Sequence, residues 1–399
     1  MNPCRQFTVQ PLIHYWLLSL LLVCGNLLPG AIDIYGYYET QGDYSILPEA
    51  EVYFGYHKLR LDLFAEPGDN IRVGADVIAR VYNGNTVLNL WDWLPTRYRD
   101  QFSGDNPELY QENLNWVFAD TLLLDNMVLD IFLDWADFSL GRQPISPGVG
   151  YAWNPTDIFN RKDPMDPTYE QMGVNAMKAE FPLPGALLAT AILQPENNWS
   201  ETPRYLQLKR QLQRFEISVV AAQGPYEETG WFSSNRWQRD MAGINLVGEI
   251  IGMGVHLEAA AHRFGNDSDS IQVEFLVGGD YTFSNGLYCI TEYLHNDLGR
   301  HSDETTLDDV FITLNGHRHS LNRDYGFANL LYPLRDVLDC GFLTVANFSD
   351  GSGLFMPQFI YRPLADLEIL TQISLFWGST NSEYGHQEGA LRVRLNAYF

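Results

Sequence analysis

The sequence predicts an all-β chain: a single closed, antiparallel transmembrane β-barrel of about 18 strands, with about 16 as the alternative. Three observations carry that expectation. Segment after segment alternates apolar and polar side chains with a period of two. Short connections rich in Gly, Pro, Asn and Asp mostly alternate with long ones. Beyond the N-terminus, no stretch reaches the roughly 20 consecutive apolar residues that a membrane helix needs.

The alternation is clearest in the last segment. Leu391, Val393, Leu395, Ala397 and Phe399 share one face, and Arg392, Arg394, Asn396 and Tyr398 the other. Side chains of a strand point alternately to its two faces, so one face meets an apolar medium and the other meets water. If the apolar medium is lipid, slipping this strand by one residue turns both arginines into it, at roughly 2–4 kcal/mol each near the midplane. Ile71 to Val81 alternate in the same way with Arg72, Gly74, Asp76, Ile78, Arg80 and Tyr82. So do Leu59, Leu61 and Leu63 with Lys58, Arg60 and Asp62, and Val255 to Ala261 with His256, Glu258 and His262.

In order, strands are expected near 32–41, 49–65, 70–82, 126–134, 137–144, 173–182, 185–194, 203–212 and 214–223. The second half continues at 237–248, 252–263, 270–282, 286–296, 324–332, 338–348, 353–362, 366–378 and 388–399. The short connections carry turn residues, as in Glu66-Pro67-Gly68-Asp69 and Ser284-Asn285-Gly286. Long connections are expected at 83–125, 145–172, 224–236 and 297–323. Short turns at one end and long loops at the other fit a membrane barrel, with the turns periplasmic and the loops extracellular. Closure also pairs every backbone group, which lipid cannot do. A barrel this wide leaves a lumen that wall side chains alone do not fill.

Bulk properties agree. The chain has 399 residues, net charge −25 and a slightly negative mean hydropathy of −0.18. Nucleic acid is excluded as a partner, because its phosphates demand clustered Lys and Arg. Residues 1–31 read as a signal peptide for Sec export, with Arg5, an apolar run over 15–28 and Pro29-Gly30-Ala31 near the cleavage point. The barrel then occupies 32–399 as one domain, with no plug domain expected before it. Cys4 and Cys24 leave with the signal. Cys289 and Cys340 fall on strands that are not neighbours, so no disulfide is expected. The absence of CxxC and CxxCH argues against structural zinc and covalent haem, and no cofactor is expected. GxSxG, HExxH and GxxxxGK[ST] are absent too, so the expectation is that the chain is not an enzyme.

Gly141-Arg142-Gln143, followed by Gly148-Val149-Gly150-Tyr151-Ala152-Trp153-Asn154-Pro155-Thr156-Asp157, is similar to a segment of porin-like and exporter-like Gram-negative outer-membrane barrels. Pro147 stands where such segments have a bulky residue after the serine. The resemblance covers nearly all of 32–399 as pattern. It implies an outer-membrane location, contact with lipid and lipopolysaccharide, and a homo-oligomer or a lumen-filling partner as further possibilities. It also implies that the terminal Phe399 is read by the barrel-assembly machinery.

In trimeric porins the third loop of the long-loop side folds into the lumen, and 145–172 is the third on that side here, which makes it the candidate constriction. That loop carries Asp157, Arg161, Lys162, Asp163, Asp166 and Glu170, and a basic ladder of Arg72, Arg80, Arg142, Arg392 and Arg394 is expected to face it. Opposed charges across a narrow mouth orient polar solutes and set ion preference. Passive diffusion of small polar or charged solutes is the leading expectation. A scaffold whose lumen holds a partner protein or exported polymer, and a barrel hydrolase, are the alternatives. Two loops invite other readings. Trp91, Trp93, Tyr98, Phe102, Tyr110 and Trp116 in 83–125 either stack on sugars or fold the loop on itself. His301, His317 and His319, with Asp303, Glu304, Asp308 and Asp309, either bind a divalent metal or sit in a solvated loop, the latter being preferred.

Overall fold

A computed structural model describes residues 32–100, 114–265 and 270–399. The expected signal peptide at 1–31, with Cys4 and Cys24, lies outside the described residues. The strands are β1 (Asp33–Ile46), β2 (Glu51–Gly68), β3 (Ile71–Gly84), β4 (Val87–Asn89), β5 (Asn115–Val117), β6 (Thr121–Leu133), β7 (Ala136–Gln143), β8 (Val174–Leu183), β9 (Leu187–Leu193) and β10 (Arg204–Leu212). They continue as β11 (Phe215–Thr229), β12 (Ser234–Ile250), β13 (Met253–Phe264), β14 (Gln272–Thr282), β15 (Tyr288–Asn296), β16 (Asp324–Arg335), β17 (Leu338–Asn347), β18 (Ser352–Leu364), β19 (Leu367–Trp377) and β20 (Gly389–Tyr398).

All but β4 and β5 join one antiparallel sheet of 18 strands, in which β1 pairs with both β2 and β20. The sheet is therefore a closed ring without edges, the condition a spanning sheet must meet. Within the ring each strand pairs with the next in sequence, β3 with β6 across the separate β4–β5 pair, and every expected strand has its counterpart. At the seam, Gly36 and Phe399 exchange backbone hydrogen bonds at 3.0 Å each. The Phe399 ring covers Gly36 so closely that a Cβ there would lie 3.0 Å from it. At the short-turn end, Ile251 and Gly252 both take positive φ (52° and 80°), the twist-matched geometry of a tight hairpin between β12 and β13.

The burial pattern is that of a soluble protein turned inside out. On β13, the inward His256, Glu258, Ala260 and His262 are the buried residues, while the apolar Val255, Leu257, Ala259 and Ala261 between them are less covered. Leu122, Leu206 and Val219 are outward and 76%, 60% and 51% exposed. Such a surface belongs in hydrocarbon. Aromatic groups mark its margins, such as Trp135 with Phe138 and Phe181 near the short turns. No helix among the described residues is long and apolar enough to cross a membrane.

Two expected loops are shorter than the sequence implied. The connection at 224–236 is a four-residue turn, because β11 runs to Thr229 and β12 starts at Ser234, with Tyr226 opposite Trp237 and Glu227 opposite Arg236. Beyond the hydrocarbon both faces of this hairpin become polar, so the alternation fades while the hydrogen-bond ladder continues. Strand β6 likewise begins at Thr121, five residues earlier than expected. Cys289 and Cys340, on β15 and β17 with β16 between them, are free thiols.

Candidate functional site

The third connection on the long-loop side, 145–172, between β7 and β8, folds into the barrel. Its first half is pinned by carboxylates that project inward from β13 and β15. Glu258 accepts hydrogen bonds from the amides of Val149 (2.7 Å), Gly150 (3.1 Å) and Thr156 (2.6 Å), and from the Thr156 hydroxyl (2.8 Å). Glu292 accepts from the amides of Tyr151 (2.5 Å) and Ala152 (2.7 Å), and meets His256 Nε2 at 2.6 Å. A buried carboxylate is tolerated only when its oxygens are filled this way.

The glycines of the motif exist for this approach. A Cβ on Gly150 would lie 1.9 Å from the Trp153 carbonyl oxygen, and one on Gly148 2.6 Å from Asn154 Cγ and 2.9 Å from Glu258 Oε1. Trp153, 1% exposed, packs with Ala152 against inward Leu276, Ile290, Leu294, Phe327, Leu343 and Val345. Ile158 and Phe159 pack against Ile192, Tyr205, Val220 and Met241 on the inner face of β9 to β12. One flank of the loop thus has a dry core inside the barrel.

The second half of the loop faces a charged wall made by β20, β1, β2, β3 and β6. Asp166 pairs with Arg394 at 2.5 Å and lies 3.7 Å from Arg392. Glu170 pairs with Lys58 at 2.9 Å and Arg60 at 3.2 Å. Burial opposes charge on Glu170, but Lys58 and Arg60 hold its carboxyl below the usual range. The wall cations have acids of their own: Arg60 meets Asp62 (2.6 Å), Asp76 (2.7 Å) and Asp125 (2.8 Å), and Arg392 meets Asp43 (2.7 Å). Tyr169 closes the group, its hydroxyl donating to Glu39 at 2.8 Å and its ring lying 4.9 Å from Lys58 Nζ and 4.8 Å from the Arg394 guanidinium.

The expected site residues divide accordingly. Asp166, Glu170, Arg392 and Arg394 come together. Arg80 lies on the same wall, stacked on Tyr56 at 5.2 Å. Arg72 does not face the loop: it sits at the short-turn rim, paired with Glu66 at 3.0 Å. Arg142 is not on the inner wall: it shares a face of β7 with Phe138 and Leu140, cross-strand from Met127 and Asn175, and its Nε reaches the Asp125 carbonyl at 2.7 Å. The strand bulges beside it, where Asp125 is inserted and Gly141 has φ of 119°. Asp157 does not line a mouth either. It is buried and caps the loop by accepting from the amides of Phe159 (2.8 Å) and Asn160 (3.0 Å), and burial pushes its carboxyl up to about 7. Lys162 donates to the Gly150 carbonyl at 2.5 Å, Arg161 to the Thr313 carbonyl, and Asp163 accepts from the Met165 amide at 2.9 Å. These three brace the loop and its neighbours.

Sequence reasoning missed Lys58, Arg60, Glu258 and Glu292 as site residues. Lys58, Arg60 and Glu258 were legible as polar members of alternating strands, whereas Glu292 shares its face with apolar Ile290 and Leu294 and gave no such signal; nothing in a single strand says which loop its inner face will meet. The outer loops also differ from expectation. The connection 297–323 forms the helix Leu307–Leu314 with a Thr306–Asp309 capping box, and Asp309 binds Arg318 at 2.7 Å. Leu307 and Phe311 pack with Leu94, Tyr98 and Trp91, so the aromatic loop folds on its neighbours at these positions. His319 turns to Glu274 at 3.0 Å, away from the helix carboxylates. Phe102 and Tyr110 lie outside the described residues.

The closed barrel has counterparts among solved structures. Over 92% of this chain the structure is similar to OccAB1 of Acinetobacter baumannii (TM-score 0.56, 11% identity, 96% of that chain). It is similar over the same share to OccK11 (OpdR) of Pseudomonas aeruginosa (TM-score 0.53, 11% identity, 96% of that chain). The fold is that of an outer-membrane porin barrel. No family model matches the sequence, and no curated protein matches it. At these identities the porin likeness speaks for the fold; function has to be argued from the lumen.

Proposed function

We propose that this protein is an outer-membrane channel through which small polar or charged solutes diffuse, and that loop 145–172 forms its constriction. The observation that carries this reading is the two-sided seating of the loop. Glu258 and Glu292 hold one flank, and Lys58, Arg60, Arg392 and Arg394 meet Asp166 and Glu170 on the other. A passage beside that second flank has fixed donors and acceptors on both sides, which orient a polar solute without binding it tightly. A lumen already occupied by its own loop argues against a sheath for a partner protein or polymer. The wall ion pairs also satisfy one another, which is the arrangement of a lining rather than of a nucleophile with its base.

Planar-bilayer recording of the purified barrel tests the proposal. Stable single-channel conductance, with ion selectivity altered by Asp166→Asn plus Glu170→Gln, is the expected result. A barrel that conducts nothing would overturn the channel reading. Unchanged selectivity in the double variant would remove the constriction from it.

A further inference from the structure

The charged wall also carries a row of aromatic rings. Resting on the channel reading above, we infer that this row is a binding track for pyranose oligosaccharides, and that sugars are the solute class the passage favours. At the long-loop mouth Trp116 stacks on Phe118 (6.2 Å between centroids, 18° between planes). Phe118 touches inward Phe54 at 4.6 Å and Tyr82 at 5.4 Å. Deeper, Tyr82 meets Tyr56 at 6.2 Å, whose hydroxyl lies 3.4 Å from that of Tyr169 on the loop. Lys58 then bridges the Tyr169 and Tyr37 rings at 4.9 Å each, and Tyr37 meets Tyr398 at 5.8 Å near the short turns. Tyr37 and Phe54 align with β2 positions six residues apart, so the row descends about 20 Å of strand.

The chemistry of the row narrows its occupant. The inward apolar side chains of β14 to β18 are covered by Trp153 and its neighbours, whereas Trp116 and Tyr398, at the two ends of the row, are 39% and 48% exposed. Between them Tyr56 is 7% exposed and Lys58 and Arg80 lie over the rings, so the row offers ring surface at its two ends, and there it favours a solute with an apolar face of its own. The rim beside the rings is dense in donors and acceptors already matched in charge, such as Arg394 with Asp166 and Lys58 with Glu170. Such a rim serves hydroxyls and gives a free anion little to neutralise. Arg80 braces the row from within, stacked on the Tyr56 ring at 5.2 Å and donating to the Tyr82 hydroxyl at 3.3 Å. A pyranose has apolar C–H faces and a hydroxyl rim, and matches both features at once.

The test adds maltohexaose, cellohexaose or hexagalacturonate to the long-loop side of a bilayer holding the purified barrel, with sodium benzoate as the planar aromatic acid. Saturable interruption of the current by at least one hexasaccharide is expected. Trp116→Ala with Phe118→Ala, both outside the barrel strands, should weaken its half-blocking concentration about tenfold, scaled to the variant's own open current. Trp199→Ala, on the outer rim, should leave that concentration unchanged. An open channel that no hexasaccharide blocks overturns the track, as does saturable block by benzoate alone or full block in the double variant. Calorimetric titration of the same sugars into the detergent-solubilised barrel separates the two ideas. If the barrel binds a hexasaccharide but conducts nothing, the channel reading fails and the track stands. If it conducts but binds none of them, the channel stands and the track fails.

Discussion

The two flanks of loop 145–172 are held by different physics. Against β8 to β18 the loop is dry: Trp153, Ile158 and Phe159 sit in apolar pockets, and backbone amides end on buried Glu258 and Glu292. Against β20, β1 and β2 it is wet at the margin, held by ion pairs whose acid Glu170 keeps 37% of its side chain exposed. Removing one partner of a buried ionic or hydrogen-bonded group leaves an uncompensated charge or donor and is costly, whereas exposed pairs contribute little. The first flank fixes where the loop is; the second is the one that the proposed channel uses to tune what passes.

That contrast can be broken or sharpened experimentally. The largest effect is expected from Glu258→Ala, which strands four donors at once. It should destabilise the seated loop by about 3–5 kcal/mol. Larger, noisier single-channel currents and a lower temperature for heat-modified gel migration would report it. Gly150→Ala comes next, because its Cβ would collide with the Trp153 carbonyl; a loss of roughly 1–3 kcal/mol and a similar, smaller increase in current noise are expected.

The dry flank should also respond to pH. Asp157 has its carboxyl pushed up to about 7 by burial, which outweighs the Asn160 and Phe159 amides and the Ser146 hydroxyl that favour its charged form. A raised acid binds its proton more tightly in the folded loop than in the released one. Seating is therefore favoured by acid and weakens as pH rises from about 4 to 7, then levels off. Channel noise should be lower at pH 5 than at pH 8, and Asp157→Asn should flatten that difference. Glu170 runs the other way, its depressed acid favouring the contact above its ordinary range and losing it only at lower pH. The smallest effect belongs to Arg72→Gln. Arg72 and Glu66 are 47% and 66% exposed at the far rim, so ion selectivity and the urea midpoint should barely move. A large change there would show that the selective region extends beyond the loop.

Much of the barrel was legible because period-two alternation is local. Leu391 to Phe399 declare their two faces without reference to any neighbour, and the turn residues mark the ends. The site was legible only in part. Asp166, Glu170, Arg392 and Arg394 were found because they are charged and lie on the expected loop or an alternating strand. Arg142 was misplaced because the bulge at Asp125 and the positive φ of Gly141 interrupt the pattern where it lies. Asp157 carries the same charge as Asp166 in the sequence, yet one is a buried cap and the other an ion-pair partner.

The positions of the strands and, away from the bulge, the facing of their side chains follow from side-chain chemistry along the chain, because each residue's preference for lipid or water is its own; that the ring closes at 18 strands was decided by the pairing of β1 with β20. Which carboxylate grips which amide, and which arginine meets which aspartate, depends on residues a hundred or more positions apart being brought face to face. Glu258 and Val149 are separated by 109 positions, and Arg394 and Asp166 by 228. Only ring closure and the inward fold of the loop make them neighbours, and no local pattern encodes that distance.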